Sequence, residues 1–476
     1  IEIISNPSAR YDAEGLGGII NIITNKKKKK GLNGTLNSQT EYAQFFSYST
    51  SLQLNSKISE KLSLKSYLVY QNGQYLRNED RTERILTSGV DYIYKRIDTS
   101  TNSTTYANID VLYDFSDTDN ITFQYRILNN DSERFQNNDL FITDDIETFS
   151  NGIYTNRRKR DHMSVGLNYN KELDSLGQKL TVITDYYTSE IEARNEYINL
   201  FFNSDGDLIN NNNRRSFSPT TYDIFSAQID YSKPIKENML ELGAKMSNVE
   251  NKSNTLFEDL INGDYVVDTN FTNKFDYDEQ IVSGYTSYGV NRFLADGLSL
   301  QLGLRGEYTK GRGEIPNSGF SLSKDYFNLF PSIFLTKELG NKSSLGLSYS
   351  RRINRPNYTS FNPTIFYITD FTSQVGNPDL DPTYTNAFEF TYNKSDINLL
   401  LFFNDIKGEA REILTQTSPT ELRYQWRNID KTLIYGMSAS YNKKVNDWWT
   451  VFAAFSWYGK SYKSTFTDAV DNIDVS

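Results

Sequence analysis

The sequence predicts an all-β chain wrapped into a transmembrane antiparallel barrel. Three observations carry that expectation. Apolar and polar residues alternate in short segments through most of the 476 residues, as where Leu298, Leu300, Leu302 and Leu304 interleave with Ser299, Gln301, Gly303 and Arg305. That is the period of a strand with one apolar face. Aromatic content is 14%, with 34 Tyr and 29 Phe, yet hydrophobic residues together reach only 37% and mean hydropathy is -0.59. A soluble core with so few aliphatic residues would struggle to bury those rings, whereas a membrane barrel places them in girdles at both interfaces. Finally, tight turns alternate with long polar stretches, the asymmetry of barrels whose loops are long on one side only. A helical membrane protein is excluded, because no apolar run approaches the roughly 18 residues that a spanning helix needs.

The first 24 residues, IEIISNPSARYDAEGLGGIINIIT, differ in texture from the rest. Ile1, Ile3 and Ile4 read as the tail of a strand, and Asn6-Pro7-Ser8 breaks it. Gly15, Gly17 and Gly18 then allow close backbone approach. The run Ile19-Ile20-Asn21-Ile22-Ile23-Thr24 is β-branched and reads as a buried strand. Lys26 to Lys30 follow as a solvated linker. From Gly31 the alternating texture begins.

This stretch resembles the closing segment of the plug domain in TonB-dependent receptors, in their outer-membrane β-barrel protein branch. Ile1, Glu2, Ile3, Pro7, Ser8, Tyr11, Gly17, Gly18, Ile20, Asn21, Ile22 and Thr24 fit the family pattern. Many members carry Arg-Gly before the proline, where this chain has Ser5-Asn6. The resemblance implies that residues 1–30 are the end of a plug and its linker, with Asn21 to Thr24 inside a barrel that starts at Gly31. An N-terminal portion is expected upstream of Ile1.

The barrel region, residues 31–476, opens with two segments, 31–43 and 45–58, joined by a very short connection, and Ser59-Glu60-Lys61 turns the chain again. Further tight turns are expected at Ser116-Asp117-Thr118-Asp119, Leu176-Gly177, Lys236-Glu237-Asn238, Ala295-Asp296-Gly297, Gly340-Asn341-Lys342, Lys394-Ser395-Asp396 and Asn446-Asp447. The polar stretches 77–101, 135–156, 196–217, 255–274, 312–323, 354–382 and 409–422 are expected as long loops. Counting segments gives about 17 strands. Bacterial single-chain barrels close with an even number, and the chain ends in a polar segment, so the barrel is expected to be C-terminally incomplete. The resemblance implies the 22-stranded type. Leu302, Trp449 and Phe455 are expected to face lipid, and Gln301, Arg305 and Glu307 the lumen.

A second stretch carries the resemblance. Residues 348–382 read SYSRRINRPNYTSFNPTIFYITDFTSQVGNPDLDP. Arg351, Arg352, Arg355, Pro356, Asn362, Pro363, Gly376, Asn377, Pro378, Leu380 and Pro382 match the family, with Phe361 where leucine is usual. Four of the 10 prolines fall here, and prolines preset the backbone and cut loop entropy. An ordered loop bearing exposed aromatics suits binding, because rings bring apolar area at little entropic cost. Tyr358, Phe361, Phe366, Tyr367 and Phe371 are therefore the candidate substrate-binding residues. Packing of the same rings onto the barrel mouth is the competing reading.

Other chemistry is sparse. Net charge is -10, which argues against a nucleic-acid partner. With no cysteine there is no disulfide framework or thiolate metal site. The single histidine, His162, reads as a polar residue near a strand start. Asp144, Asp145 and Glu147 read as a solvated loop. Asn203-Ser204-Asp205-Gly206-Asp207 reads as a hairpin tip, since no bidentate Glu follows as a calcium loop requires. No catalytic set, cofactor motif or metal-ligand spacing is present, so the chain reads as a non-enzyme. The resemblance implies active import of a specific small solute across the bacterial outer membrane. Its partners would be outer-membrane lipid, TonB with its inner-membrane energising complex acting through the missing N-terminal part, and a surface lipoprotein. A passive or structural barrel, and a secreted soluble β-rich binding protein, are the alternatives.

Overall fold

The computed structural model describes residues 2–4, 8–15, 19–21, 31–85, 90–143, 148–316, 320–363, 365–369, 372–418, 421–464 and 466. Two short strands come first, β1 (Glu2–Ile4) and β2 (Ile19–Asn21). Among the described residues they pair with each other alone, Ile3 opposite Ile20. Gly31 then opens the wall. Its first strands are β3 (Gly31–Tyr42), β4 (Phe46–Lys57), β5 (Leu62–Ile85), β6 (Val90–Ser116), β7 (Asp119–Thr143) and β8 (Thr148–Glu172). Next come β9 (Lys179–Phe202), β10 (Leu208–Ile235), β11 (Asn238–Ile261), a short β12 (Asp264–Val267), β13 (Asn273–Val290), β14 (Leu298–Ile315), β15 (Phe320–Gly340) and β16 (Ser343–Asn354). One helical turn, α1 (Tyr358–Phe361), precedes a small hairpin, β17 (Ile365–Thr369) and β18 (Thr372–Val375). The wall resumes with β19 (Thr383–Lys394), β20 (Ile397–Ser418), β21 (Glu421–Lys444) and β22 (Thr450–Lys463).

Seventeen of these strands, β3–β11, β13–β16 and β19–β22, pair antiparallel in chain order as one barrel wall. Among the described residues no paired register joins β3 to β22, and β3 is exposed along its whole length. The short turns fall where the sequence places them. Tight reversal there uses positive φ at Gly177, Lys236, Gly297, Gly340, Asn341 and Lys342.

The two faces of the wall follow from strand period. On β14, Leu302 and Leu304 are 47% and 44% exposed, while Arg305 and Glu307 are 3% each. Gln301 shares the inner face and donates to Ser287 Oγ at 2.9 Å. Cross-strand partners share a face. Leu302 lies opposite Ile333, then Tyr349, Phe388, Phe403 and Tyr435 follow pair by pair, and Tyr435 lies opposite Gly459. Phe455 therefore shares the outer face with Leu302. Trp449 precedes β22, half exposed, and stacks on Trp448.

The long polar stretches need correction. Residues 77–101, 135–156, 196–217, 312–323 and 409–422 are not open loops, since most of them continue the strands. β6 runs for 27 residues and β10 for 28. At about 3.3 Å per residue such strands approach 90 Å, whereas a tilted strand crosses the bilayer in about 9–11 residues. The remainder stands in water. There both faces are wet, alternation has no cause, and a paired strand has the composition of a loop. The stretch 255–274 continues β11 and adds β12 to its end. His162 lies in the body of β8, not near its start. Residues 203–207 form a hairpin tip in which Asn203 Oδ1 accepts from the amides of Asp205 and Asp207. Lys26 to Lys30, Asp144, Asp145 and Glu147 lie outside the described residues, as do residues 22–24.

Candidate functional site

Residues 8–15 form a strap against the inner wall. A turn bonds Tyr11 N to Ser8 O at 3.1 Å. Small side chains then let the chain lie flat, with Ala9 and Ala13 both buried. The wall is pared down beneath it. A Cβ built on Gly303 would sit 2.8 Å from Ala9 Cβ and 2.5 Å from Ser332 Oγ, so only glycine fits.

The strap ends by adding to the sheet. β15 pairs with β16 only as far as Ser332 opposite Ser350. The last residues of β16 thus have no ladder partner on β15 among the described residues, and the strap takes that edge. Glu14 bridges Ile353 in parallel, with Ile353 N donating to Ala13 O at 3.0 Å and Gly15 N to Ile353 O at 3.1 Å. Ile353, Phe330 and Ala13 form a buried apolar contact below.

Charged groups clamp this joint. Arg352 reaches three strap carbonyls, donating from Nε to Gly15 O at 2.6 Å and from Nη2 to Asp12 O and Glu14 O at 3.2 Å each. Arg355 donates to Glu14 Oε2 at 3.3 Å, Glu307 Oε2 at 2.8 Å and Thr309 Oγ1 at 2.9 Å. Arg305 donates to Asp12 Oδ1 at 2.9 Å and Glu307 Oε1 at 2.6 Å. Lys245 takes Asp12 Oδ2 at 2.5 Å, and Arg10 takes Glu241 at 3.3 Å. The second motif of the sequence, through Arg352 and Arg355, therefore grips the first. Strap, wall and α1 enclose a cavity of about 270 Å³ lined by Asp12, Glu14, Lys245, Glu279, Arg305 and Tyr358 among others.

Burial raises the Glu14 carboxyl, and Glu307 and Asp12 raise it further against the pull of Arg355. Burial, with Glu279 and Glu14 nearby, also pushes the Tyr358 hydroxyl up, so it stays a donor. It donates to Glu279 Oε1 at 3.4 Å.

Three of the five candidate binding residues, Tyr358, Phe361 and Phe366, have described side chains, and these three have different surroundings. Tyr358 faces the cavity and touches the rings of Tyr277 and Tyr222 at 5.3 and 6.4 Å. Phe361 is buried with Phe275, Tyr277 and Leu380, its ring 5.6 Å from that of Tyr277. Phe366 is exposed on β17. The Tyr367 side chain and Phe371 lie outside the described residues. The loop is pinned by its motif residues. Gly376 N donates to Asn362 O, Asn377 N to Ser360 O, and Asn377 Nδ2 to Trp426 O. Sequence reasoning missed Asp12, Glu14, Lys245, Glu241 and Glu279 as site residues. For Glu241, Lys245 and Glu279 the available signal was inward parity: a charge on the polar face of an otherwise half-apolar strand.

Residues 171–476 match the model of the outer membrane protein beta-barrel family. The chain belongs to that family. It is accordingly a protein of the bacterial outer membrane. Solved structures share the barrel fold of this family member at low identity. The siderophore receptor PirA from Pseudomonas aeruginosa is 16% identical, with TM-score 0.58 over 97% of this chain and 72% of its own. A mutant of the ferric enterobactin receptor PfeA from Pseudomonas aeruginosa is 17% identical, with TM-score 0.57 over 96% and 66%. The ferric citrate transporter FecA in its unliganded form is 11% identical, with TM-score 0.60 over 98% and 65%. The outer-membrane barrel described here thus spans about two thirds of the length of these structures. No curated protein matches the chain in sequence.

Proposed function

We propose that the chain is part of a TonB-dependent importer that moves a specific small solute across the outer membrane. The observation that carries this reading is the strap. A wide barrel would leak if its lumen were open, and here a segment crosses the inner wall on charged contacts lined by a polar cavity. Such contacts exchange for water, and the strap itself buries only the small side chains Ala9 and Ala13, so a pull on the strap can release it and a return can remake it. The plug-like wording of residues 1–24 and the receptor and transporter folds of the structural neighbours support the same reading. TonB would act from the periplasm through the part of the plug upstream of the strap.

A reversible lock tests it. Asp12→Cys with Lys245→Cys replaces two side chains that meet between the strap and the wall, and a short bis-thiol reagent with a cleavable disulfide can bridge the pair. In whole cells the bridged pair should stop solute accumulation, and reductant should restore it. The purified wild-type barrel in a planar bilayer should show no steady open channel. Uptake that persists with the strap locked, or a permanent conductance in the wild type, would favour a passive barrel.

A further inference from the structure

We infer that the lumen wall at Arg158 and Arg160 is a binding site for a small anion bearing carboxylate or phosphate groups. The inference rests on the import reading, in that it places the site where an entering solute would pass. Asp230 faces the lumen, where Tyr285 donates to it at 2.7 Å. It lies opposite Thr181, which lies opposite Asn170, so the even residues of β8 point inward. Arg158, Arg160 and His162 are then stacked on one face, about 7 Å apart at strand spacing.

No carboxylate answers them. Arg158 and Arg160 enter no ion pair among the described residues, and the Nε of each is buried without a hydrogen-bond partner. Other lumenal arginines are served differently. Arg134 meets Asp98 at 3.3 Å and Arg214 meets Asp259 at 3.0 Å. The inward neighbours of the pair are neutral on both sides. They are Asn130 and Ser132 on β7, and Ile191 and Ala193 on β9. Beyond β9 lie Ser218, Thr220 and Tyr222 of β10. His162 Nδ1 is held by the Tyr187 hydroxyl at 2.8 Å.

Two further donors wait at the same place. Ser189 Oγ, on a residue 2% exposed, and Ser218 Oγ are both buried with no partner. Stacked like charges cost stability, and buried hydroxyls left unpaired cost more. A bound anion removes both costs at once, and a guanidinium fork matches a carboxylate or phosphate edge in two parallel bonds. Tyr222 ties the patch to Tyr358 through its ring contact, so the site adjoins the loop that carries the candidate aromatics.

The test uses the full chain in detergent at low salt, with citrate and inorganic pyrophosphate as probes and maltotriose as a neutral control. Both anions should bind at millimolar concentration or tighter and raise the melting temperature, and maltotriose should do neither. Arg158→Gln with Arg160→Gln should weaken anion binding at least tenfold. Without a probe its melting temperature should stay level or rise, because the repulsion is gone. Arg134→Gln, which breaks a paired arginine, should lower the melting temperature and leave anion binding intact. If neither anion binds, or if the double variant binds them as well as the wild type, the site is overturned. So is it if the double variant melts lower and binding is unchanged, which is what arginines serving only to pack the wall would give. Those outcomes leave the strap-lock experiment untouched, so failure here is separable from failure of the import reading.

Discussion

Arg352 donates to the backbone carbonyl of Gly15 at 2.6 Å, a bond between positions 337 residues apart. It joins the start of one sequence motif to the middle of the other. The same guanidinium also holds the carbonyls of Asp12 and Glu14, so one side chain satisfies backbone acceptors along the final turn of the strap.

Arg352→Ala should therefore free the strap while the wall stays folded. Three acceptors lose a charged donor, and a loss of about 1–3 kcal/mol in strap docking is expected. Limited proteolysis should read it as faster cleavage between residues 8 and 15, with the barrel core unchanged. Cleavage at the wild-type rate would show that the β-bridge alone holds the strap.

Gly303→Val should displace the strap by steric contact alone, because any Cβ there meets Ala9 and Ser332. Hydrogen exchange at Gly15 and Ile353, whose amides make the bridge, should accelerate. Exchange should not change at Leu302 or Leu304, whose amides belong to the wall.

Glu307 is shared by Arg305 and Arg355, all three nearly inaccessible. Glu307→Gln leaves two buried cations with less compensation, and a cost of about 3–5 kcal/mol is expected from a broken buried pair. Combining it with Arg355→Met should recover part of that loss, a coupling that chemical denaturation in detergent would measure. Strict additivity of the two changes would mean that the pair does not interact.

Phe361→Ala and Phe366→Ala should separate scaffold from surface. Phe361 is 4% exposed within an aromatic cluster, and its truncation should cost about 3–5 kcal/mol. Phe366 is 40% exposed, and its truncation should leave the melting temperature unchanged. A solute that uses this loop would lose affinity with Phe366→Ala and not through a general loss of fold.

Leu302→Arg and Gln301→Arg probe the two faces one residue apart. The first puts a cation into hydrocarbon and should cost about 2–4 kcal/mol near the midplane. The second adds a cation to the wet interior and should be tolerated. Heat-modifiable migration on gels would rank the two.

The part of the fold inside the bilayer was legible because lipid enforces a rule. Leu298 to Leu304 must alternate, and a slip of one residue would carry Arg305 into hydrocarbon. The short turns were legible for a similar reason, since Gly177 and Gly297 adopt a backbone that other residues avoid. The upper half was not, because at residues 135–143 of β7 and 148–156 of β8 neither face meets lipid. The strap was half legible. Gly15, with the proline and glycines that flank the strap in sequence, marked it as special, and inward parity marked Arg305 and Glu307. Nothing local says that Asp12 would choose Lys245 and Arg305 as partners, because that choice is made by the closing of a wall more than 200 residues away. The unpaired Arg158 and Arg160 were invisible for the converse reason. Their distinction is what does not lie opposite them.

The tall polar strands have one more consequence. Above the bilayer, neighbouring strands are held mainly by backbone bonds, which are indifferent to side-chain identity. Outward residues on β5 to β10 can therefore be exchanged over generations with little effect on folding. The outline of that surface can be redrawn while the lumen-facing row behind it, with Arg158 and Arg160, keeps its chemistry.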